Sequence, residues 1–362
     1  MERGDFQAVR VLLASLPIGT GHDSAARAVS QALVSRGATV QGSHVLEAYA
    51  GTARTAYYQA LKLVPTPYDL AFHRSHDGWQ AAWAVNRHRW RRLSPLLRPA
   101  AESFRPDWVI ATHPFALAAW AGVQDRRFGV VGVVTDLSVH RFWYEPDADA
   151  YAVWLPSVGQ DLARWGVPDE RIWVTGIPIR PEFATVRPRF DGPVVVMGGG
   201  LGMGPIEHTV SRLCSLSRPL RVICGKNERL YNRLRRRFSG RTVSVYGYVE
   251  NMPAVLDGAA LVVSKPGGLT VAETAAGGIP LVVSHHLPGQ ECVNLKRLQR
   301  LGVIRDGMGD VLDVARGMLV RSRWEEQVHR QRHLGRADAA GALAAALYAK
   351  GESSEGQALP LP

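Results

Sequence analysis

The chain has 362 residues, of which 46% are hydrophobic and 21% charged; this is enough for about two globular domains and excludes a globally disordered protein. No apolar run reaches the roughly 18 residues of a bilayer-spanning helix, and the N-terminus lacks the pattern of a secretory signal. The formal charge of +11 points to a partner that carries phosphate, which could be a nucleic acid, a nucleotide or an anionic lipid.

The first half of the chain alternates between short apolar strands and amphipathic helices. Residues 8–14 predict a strand, 15–21 a loop, 23–36 a helix and 38–45 a second strand. Further strands are predicted at 108–111, 129–135, 150–153 and 172–175. Strands that alternate with helices in this way indicate a doubly wound parallel sheet.

The alternation starts again after a proline-rich stretch. Strands are predicted at 193–197, 220–224, 242–246, 260–263 and 280–284, and helices at 206–216, 228–237, 269–276 and 290–301. We therefore predict an α/β protein with domains at 1–180 and 192–320, a linker at 181–191, a helical segment at 321–350 and a disordered tail at 351–362. Ligands of such sheets bind at the carboxyl ends of strands, where the loops 15–22 and 198–204 fall.

The first of these loops reads Gly19-Thr20-Gly21-His22 and opens a helix. Glycines let the backbone approach a ligand closely, and a helix N-terminus favours an anion. His22 is a candidate general base near neutral pH; a capping or solvent-facing histidine is the alternative. Because the loop is not G-x-G-x-x-G, a dinucleotide site is only weakly supported.

Two further glycine-rich motifs point to phosphate. Residues 198–204 contain five glycines in seven positions, without the Lys-Ser or Lys-Thr of a P-loop; the alternative is a flexible turn. Gly267 and Gly268 open another helix whose amides can hold a phosphate. Glu273, one turn further on, could accept two hydrogen bonds from a ribose diol, or could simply favour the helix dipole.

Polar residues follow two apolar strands. Gln290, Glu291 and Asn294 are side chains suited to sugar hydroxyls, whereas the adjacent histidines at 285 and 286 point in opposite directions from a strand and do not predict a metal site. Asp136 ends another strand, and Asp136 with His140 could position or deprotonate a hydroxyl. A turn-forming aspartate is the alternative interpretation of Asp136.

Taken together, these motifs resemble glycosyltransferase family 28, in the branch of the monogalactosyldiacylglycerol synthases and processive diacylglycerol glucosyltransferases. The resemblance runs from about residue 13 to residue 302. Its motifs are Thr135-Asp136 with His140 and Trp143, Gly166-Val167-Pro168, Val174-Thr175-Gly176-Ile177-Pro178, Lys265-Pro266-Gly267-Gly268-Leu269-Thr270 with Glu273, and Pro288-Gly289-Gln290-Glu291 with Asn294.

The resemblance implies a GT-B fold, in which two Rossmann-like domains face a cleft, and an inverting transfer that requires no metal and no cofactor beyond the UDP-sugar donor. It implies that the N-terminal domain binds the acceptor and that the C-terminal domain binds the donor. His22, Asp136 and His140 would be catalytic, with His22 or Asp136 as the base. The implied donor-site residues are Gly199, Gly200, Gly202, Val249, Gly267, Gly268, Leu269, Thr270, Glu273, Gln290, Glu291 and Asn294.

Within that set, Gly267, Gly268 and Thr270 would contact the diphosphate and Glu273 the ribose. Val249 would lie by the uracil, and Gln290, Glu291 and Asn294 would contact the donor sugar. The first loop departs from the three glycines that the family commonly has before the histidine. Phe142-Trp143 lies in a stretch that varies between glucosyl- and galactosyl-transferring members, so the choice between glucose and galactose stays open.

A tryptophan-rich segment predicts a membrane-docking helix. Between residues 79 and 93, a helical wheel places Trp79, Trp83, Asn86, Trp90 and Leu93 on one side. Arg87, Arg89, Arg91 and Arg92 lie on the flanks and far face, and Pro95 is expected to end the helix. Such a helix suits an anionic membrane surface; the alternative is that the tryptophans pack in the core. The basic stretch 233–237 is interpreted as a solvated helix face.

The sequence thus predicts an enzyme that moves glucose or galactose from a UDP-sugar to diacylglycerol or a related glycolipid, with no nucleic-acid partner. Three widely spaced cysteines fit a reducing cytosol, so we expect a cytoplasmic protein, peripheral on the inner face of the cell membrane. The alternatives are transfer of N-acetylglucosamine to a polyprenyl-linked peptidoglycan precursor, epimerisation of a UDP-sugar, and a basic nucleic-acid-binding protein.

Overall fold

The computed structural model describes residues 8–16, 20–49, 51, 78–240 and 242–355, with the backbone alone at 78–82 and 351–355. Gly19, expected in the first glycine loop, lies outside the described residues. Among those residues, no helix is both long enough and apolar enough to cross a bilayer.

Six parallel strands form the N-terminal sheet within the described ranges. They are β1 (Arg10–Ala14), β2 (Thr39–Ser43), β3 (Trp108–Ala111), β4 (Gly129–Val133), β5 (Ala150–Val153) and β6 (Ile172–Val174). The spatial order is β2-β1-β3-β4-β5-β6. The helices of this half are α1 (Thr20–Val34), α2 (Gly78–Arg91), α3 (Ser94–Phe104), α4 (Pro114–Ala121) and α5 (Pro156–Ala163).

The C-terminal sheet, in the part of the chain described, also has six parallel strands. They are β7 (Val194–Met197), β8 (Leu220–Ile223), β9 (Val243–Tyr246), β10 (Leu261–Ser264), β11 (Leu281–Val283) and β12 (Ile304–Asp306), in the order β12-β11-β10-β7-β8-β9. The helices are α6 (Ile206–Leu213), α7 (Glu228–Arg237), α8 (Met252–Leu256), α9 (Gly268–Gly277), α10 (Gln290–Arg300), α11 (Val311–Met318), α12 (Arg321–Leu334) and α13 (Ala339–Glu355).

The predicted α/β architecture is confirmed. In each sheet the chain reverses its direction of strand addition, between β1 and β3 in the first and between β7 and β10 in the second. At such a point two loops diverge and leave a crevice at the carboxyl ends of the strands. The glycine motifs of the sequence lie at these crevices.

The N-terminal sheet is covered on both faces, because side chains alternate along a strand. Leu12 of β1 packs into a core with α4, whereas Val11 faces a second core. Leu343 and Leu347 of α13 complete this second core. The chain therefore returns to its first domain at the end. α13 also continues to Glu355, so residues 351–355 are helical where the sequence predicted disorder.

The stretch between the domains is packed rather than extended. Ile179, Phe183 and Val186 are buried in the core of the C-terminal domain. Pro181–Thr185 forms a 3-10 turn. This stretch therefore belongs to the core of the C-terminal domain.

The tryptophan side of α2 faces the protein, which contradicts its predicted role in membrane docking. Trp90 is 4% exposed and stacks on Phe115 with ring centroids 5.0 Å apart. Trp83 Nε1 donates to the carbonyl of Tyr144 at 2.8 Å, and the Arg141 guanidinium lies 5.1 Å from its ring. The core-packing alternative therefore describes Trp83 and Trp90; the side chain of Trp79 lies outside the described residues.

Arg87 and Arg91, also expected at the membrane, are paired inside the protein. Both donate to Glu145, whose side chain is 1% exposed, at 2.7 and 2.9 Å. Arg92, in contrast, is exposed. The helix also ends earlier than expected: α2 stops at Arg91, and Pro95 lies in the first turn of α3, where a missing amide hydrogen is tolerated.

This cluster generates a stability prediction. Replacing Glu145 with Gln keeps the shape but removes the charge that neutralises two mostly buried arginines. We expect the free energy of unfolding, measured by urea denaturation, to fall by about 3 kcal/mol. The matched control is Asp147→Asn, because Asp147 contacts the same arginines but is 48% exposed; it should cost less than about 1 kcal/mol. Equal, small losses in both variants would contradict the buried pairing.

Candidate active site

A cavity of about 1110 Å³ lies between the two domains. Its walls include the start of α1 and the loops that follow β3 and β4 on one side, and the loops that follow β7 and β10 on the other. All of these loops leave the carboxyl ends of strands, so both crevices open into one space. The cavity is large enough for a ligand of nucleotide-sugar size together with part of a second substrate.

Two glycine turns form part of the C-terminal wall. Gly199 and Gly200 follow β7, and Gly267 and Gly268 lead into α9. Gly199 has φ +71°, a conformation that side chains rarely adopt. Gly267 is the N-cap of α9 and, being a glycine, offers no side chain to cap the first amides of the helix. The first turn of α9, with Leu269 and Thr270 on the wall, is therefore suited to bind an anion.

Gly202 lies elsewhere. It has φ +58°, and an added Cβ would collide with the carbonyl of Cys224. Gly202 does not belong to the lining of the cavity. The structure thus gives Gly202 a turn-forming role, in place of the predicted contact with the donor.

The predicted ribose ligand faces the cavity. Burial raises the pKa of Glu273 to about 8, although the nearby Arg180 opposes this shift. Glu273 stands on α9 about one turn from the glycines, and Arg180 also lines the cavity. Val249, expected near the uracil of the donor, also lines the cavity, together with Tyr248 and Met252.

The residues expected at the donor sugar divide into two groups. Gln290 and Glu291 line the cavity, and Glu291 accepts from the amide of Leu287 at 2.8 Å and pairs with Lys265. Asn294 is fully buried behind the wall. Its amide nitrogen donates to Asp136 at 3.0 Å and to the carbonyl of Pro266 at 3.1 Å. Asn294 therefore positions Asp136 instead of touching the cavity.

Asp136 stands where the two domains meet. Its carboxylate accepts from Asn294 and from the backbone amide of Gly268, both in the C-terminal domain. Burial raises its pKa to about 7, against the lowering effect of these hydrogen bonds. At neutral pH the carboxyl group of Asp136 is therefore close to its pKa, and neither its charged nor its neutral form strongly predominates.

His22 is held in one tautomer. Its Nδ1 lies 2.6 Å from the carbonyl oxygen of Thr112, which can only accept, so Nδ1 carries the proton. The lone pair is then on Nε2. Burial lowers the pKa of His22 below its ordinary value of 6.5, so the ring is neutral at pH 7. A neutral imidazole on the cavity wall can accept a proton.

Two more histidines surround His22. His140 was expected at the site, and burial lowers its pKa to about 3. His113 was not expected: its ring centroid lies 4.7 Å from that of His22, and its Nδ1 accepts from the amide of Phe115. Burial and the neighbouring His22 hold the pKa of His113 well below its usual range. The sequence offers only the strand end before His113 as a signal.

Aromatic rings line part of the cavity wall formed by the N-terminal domain. Trp90, Phe115, Phe142 and Trp143 all belong to its wall. Phe115 contacts Trp90 on one side and Phe142 on the other, with centroids 5.0 and 6.1 Å apart. An apolar wall next to a neutral base can hold a hydrophobic acceptor.

Two family models match the chain in succession. The monogalactosyldiacylglycerol (MGDG) synthase model matches residues 22–179, and the glycosyltransferase family 28 C-terminal domain model matches residues 194–285. The first covers the domain with His22 and Asp136, and the second covers the glycine motifs of the other domain.

Curated relatives carry a consistent name. A processive diacylglycerol beta-glucosyltransferase of Bacillus cereus (strain B4264) is 28% identical over 326 residues, which are 82% of this chain and 82% of the relative. The protein of the same name from Bacillus cytotoxicus is 27% identical and spans 79% of this chain and 78% of its own length.

Solved structures share the fold at low identity. The Acinetobacter baumannii MurG structure has a TM-score of 0.58 at 14% identity and covers 94% of this chain and 99% of its own. CalG4, the calicheamicin glycosyltransferase, has a TM-score of 0.61 at 14% identity and covers 98% and 100%. A UDP-GlcNAc 2-epimerase from Neisseria meningitidis has a TM-score of 0.60 at 12% identity and covers 94% and 100%.

The structural likenesses show the fold alone, and one of them carries the name of an alternative activity considered above, the epimerisation of a UDP-sugar. The family models and the curated relatives favour neither the alternative sugar-nucleotide activities nor a nucleic-acid-binding protein. The chain is a glycosyltransferase with a GT-B fold, and it belongs to glycosyltransferase family 28, in the branch of the monogalactosyldiacylglycerol synthases and processive diacylglycerol glucosyltransferases.

Proposed function

We propose that this enzyme transfers a hexose from a UDP-sugar to a hydroxyl of diacylglycerol or a related glycolipid, with inversion at the anomeric carbon. The observation that carries the proposal is the two-sided cavity: amide-lined glycine turns and a helix N-terminus face a neutral histidine and an aromatic wall. The names of the relatives supply the substrate classes.

The donor half explains how a diphosphate leaving group is stabilised. The amides near Gly199, Gly200 and the first turn of α9 would face the charge that develops on the diphosphate as the anomeric bond breaks. We propose that this arrangement suffices without a metal. Glu273 would bind the ribose, and Gln290 and Glu291 the sugar.

The acceptor half supplies the base. The Nε2 lone pair of His22 would take the proton of the lipid hydroxyl while the oxygen attacks the anomeric carbon. Asp136 has its Oδ1 occupied by Asn294, so we assign Asp136 to orient the acceptor hydroxyl and His22 to remove its proton. The aromatic wall around Phe115 would hold the apolar part of the lipid near its head.

A membrane surface is the source of such a lipid, and we propose that the enzyme docks on the inner leaflet through the outer side of α2. Val85 is 71% exposed there, and Arg89 and Arg92 are exposed beside it. Arg89 and Trp90 also line the cavity. An entrance for the acceptor would therefore open next to the docking surface.

The proposed function predicts a specific product and a specific loss. The purified chain, incubated with labelled UDP-glucose or UDP-galactose and diacylglycerol vesicles, should yield a labelled glycolipid on chromatography. His22→Ala should lower turnover by about 100-fold to 10,000-fold, because the proton acceptor is gone, while the affinity for UDP stays within about twofold.

The control for this loss is His208→Ala, since His208 is exposed on α6 away from the cavity; it should retain full turnover. Absence of any labelled lipid with both donors, from a protein that is folded by circular dichroism, would refute the proposed activity.

The pH dependence separates the two candidate bases. A base acts only when deprotonated, so turnover falls as the pH falls through its pKa. With His22 as the base, the acidic limb of kcat/KM lies below pH 6.5, because burial lowers this pKa. Asp136→Asn should reduce the rate and keep that limb in place. A wild-type limb near pH 7 that vanishes in Asp136→Asn would assign the proton transfer to Asp136, whose pKa is raised to about 7.

The docking surface predicts a loss of vesicle binding. Arg89→Gln with Arg92→Gln removes two cations, each worth about 1 kcal/mol near an anionic surface, so co-sedimentation with anionic vesicles should weaken roughly thirtyfold. The matched control removes two arginines from α7, Arg235→Gln with Arg236→Gln, and should bind as the wild type does. Equal weakening in both double variants would show that net charge, not this face, mediates binding.

A further inference from the structure

Lys265 is a charged side chain among the donor-site turns that none of the assignments above uses. It follows β10 directly and precedes the two glycines that open α9. A Cβ placed on Gly199 would lie 3.1 Å from its Cε, and one placed on Gly267 would lie 3.1 Å from its Nζ. The ammonium therefore lies between the two glycine turns that were predicted to receive phosphate.

The partner of this ammonium is also on the cavity wall. Lys265 Nζ pairs with Glu291 Oε1, and the two side chains are 16% and 11% exposed. The other carboxylate oxygen of Glu291 accepts from the amide of Leu287 at 2.8 Å. A pair this deeply buried contributes little net stability, because desolvation offsets most of the attraction. A role in binding accounts better for its position.

The other cations of the wall are placed differently. Arg27 and Arg89 belong to α1 and α2 of the N-terminal domain, and Arg180 faces Glu273. Lys226 lies over the ring of Tyr248, with Nζ 5.3 Å from its centroid. Lys265 is thus the cation of this wall that contacts both glycine turns.

We propose that Lys265 binds the diphosphate of the donor and stabilises its leaving charge, after exchanging Glu291 for a phosphate oxygen. This inference rests on the proposed function. When the bond between the anomeric carbon and the diphosphate oxygen breaks, its electron pair goes to that oxygen, to which Lys265 donates a hydrogen bond. The acceptor oxygen bonds to the anomeric carbon, and its proton passes to His22. Glu291, released from Lys265 when the donor binds, accepts a hydrogen bond from a hydroxyl of the donor sugar.

The exchange predicts opposite effects of two charge-removing variants. In Lys265→Met, the dissociation constant of UDP, measured by calorimetry, should rise at least tenfold. The affinity for uridine, measured by ligand-observed NMR, should stay within twofold, and turnover should fall about 100-fold. In Glu291→Gln, UDP should bind several-fold more tightly, because Lys265 no longer has a competing carboxylate, whereas turnover should fall because a sugar contact is lost.

Lys296→Met is the matched control, since Lys296 is exposed on α10; it should bind UDP as the wild type does. If Lys265→Met fails to fold with an unpaired Glu291, the double variant Lys265→Met with Glu291→Gln leaves no unpaired charge and should show the same selective loss of UDP affinity. Equal weakening of uridine and UDP, UDP affinity within twofold of the wild type, or weaker UDP binding by Glu291→Gln would overturn the inference.

The wild type distinguishes this failure from a failure of the proposed function. A wild-type protein that makes glycolipid while Lys265→Met behaves like it refutes only the role of Lys265. A wild type that binds UDP, and shows the variant effects on UDP, but makes no glycolipid refutes the proposed transfer and leaves the role of Lys265 in UDP binding in place. A wild type that does not bind UDP overturns both.

Discussion

The close approach of α9 to the end of β4 is the constraint on which the site depends. A Cβ at Gly268 would lie only 3.0 Å from the Cα of Asp136 and closer still to the carbonyl of Thr135. Because no side chain intervenes, the amide of Gly268 reaches the carboxylate of Asp136 across the domain boundary. Gly200 makes a similar approach to Thr20 at the start of α1. Glycine at these two positions brings the C-terminal glycine turns, His22 and Asp136 into one cavity.

Burial then sets the charge state of that cavity. It lowers the pKa of His22 and raises the pKa of Asp136 and Glu273 to about 7 and 8. All three shifts have desolvation as their largest cause, and all three favour the neutral form. Neutral carboxyl groups at Asp136 and Glu273 reduce the repulsion of a diphosphate on a wall that also carries cations such as Arg180 and Lys265. The same wall keeps a basic nitrogen available for a hydroxyl with a high pKa.

The sequence predicts what is encoded in short contiguous motifs. The glycine turns, His22, Asp136 and Glu273 follow predicted strands, and the rule that ligands bind at strand ends places them correctly on the cavity wall. The periodicity of α2 likewise predicts an apolar face, but it does not say what that face contacts. Trp90 packs on Phe115 of α4 and Trp83 packs on Tyr144. Glu145, more than fifty residues further along the chain, neutralises the flanking arginines, and no local pattern reports such a pairing.

Distant contacts also explain the remaining differences. Asn294 has the residue type of a sugar ligand, yet its amide is used by Asp136 and Pro266, which lie on other loops. The return of α13 to the first sheet has a further consequence. Leu343, Ala344 and Leu347 close a core whose other buried members precede residue 153, so during synthesis that core stays open to solvent until α13 has left the ribosome. In the described ranges, the chain therefore crosses between the two domains twice.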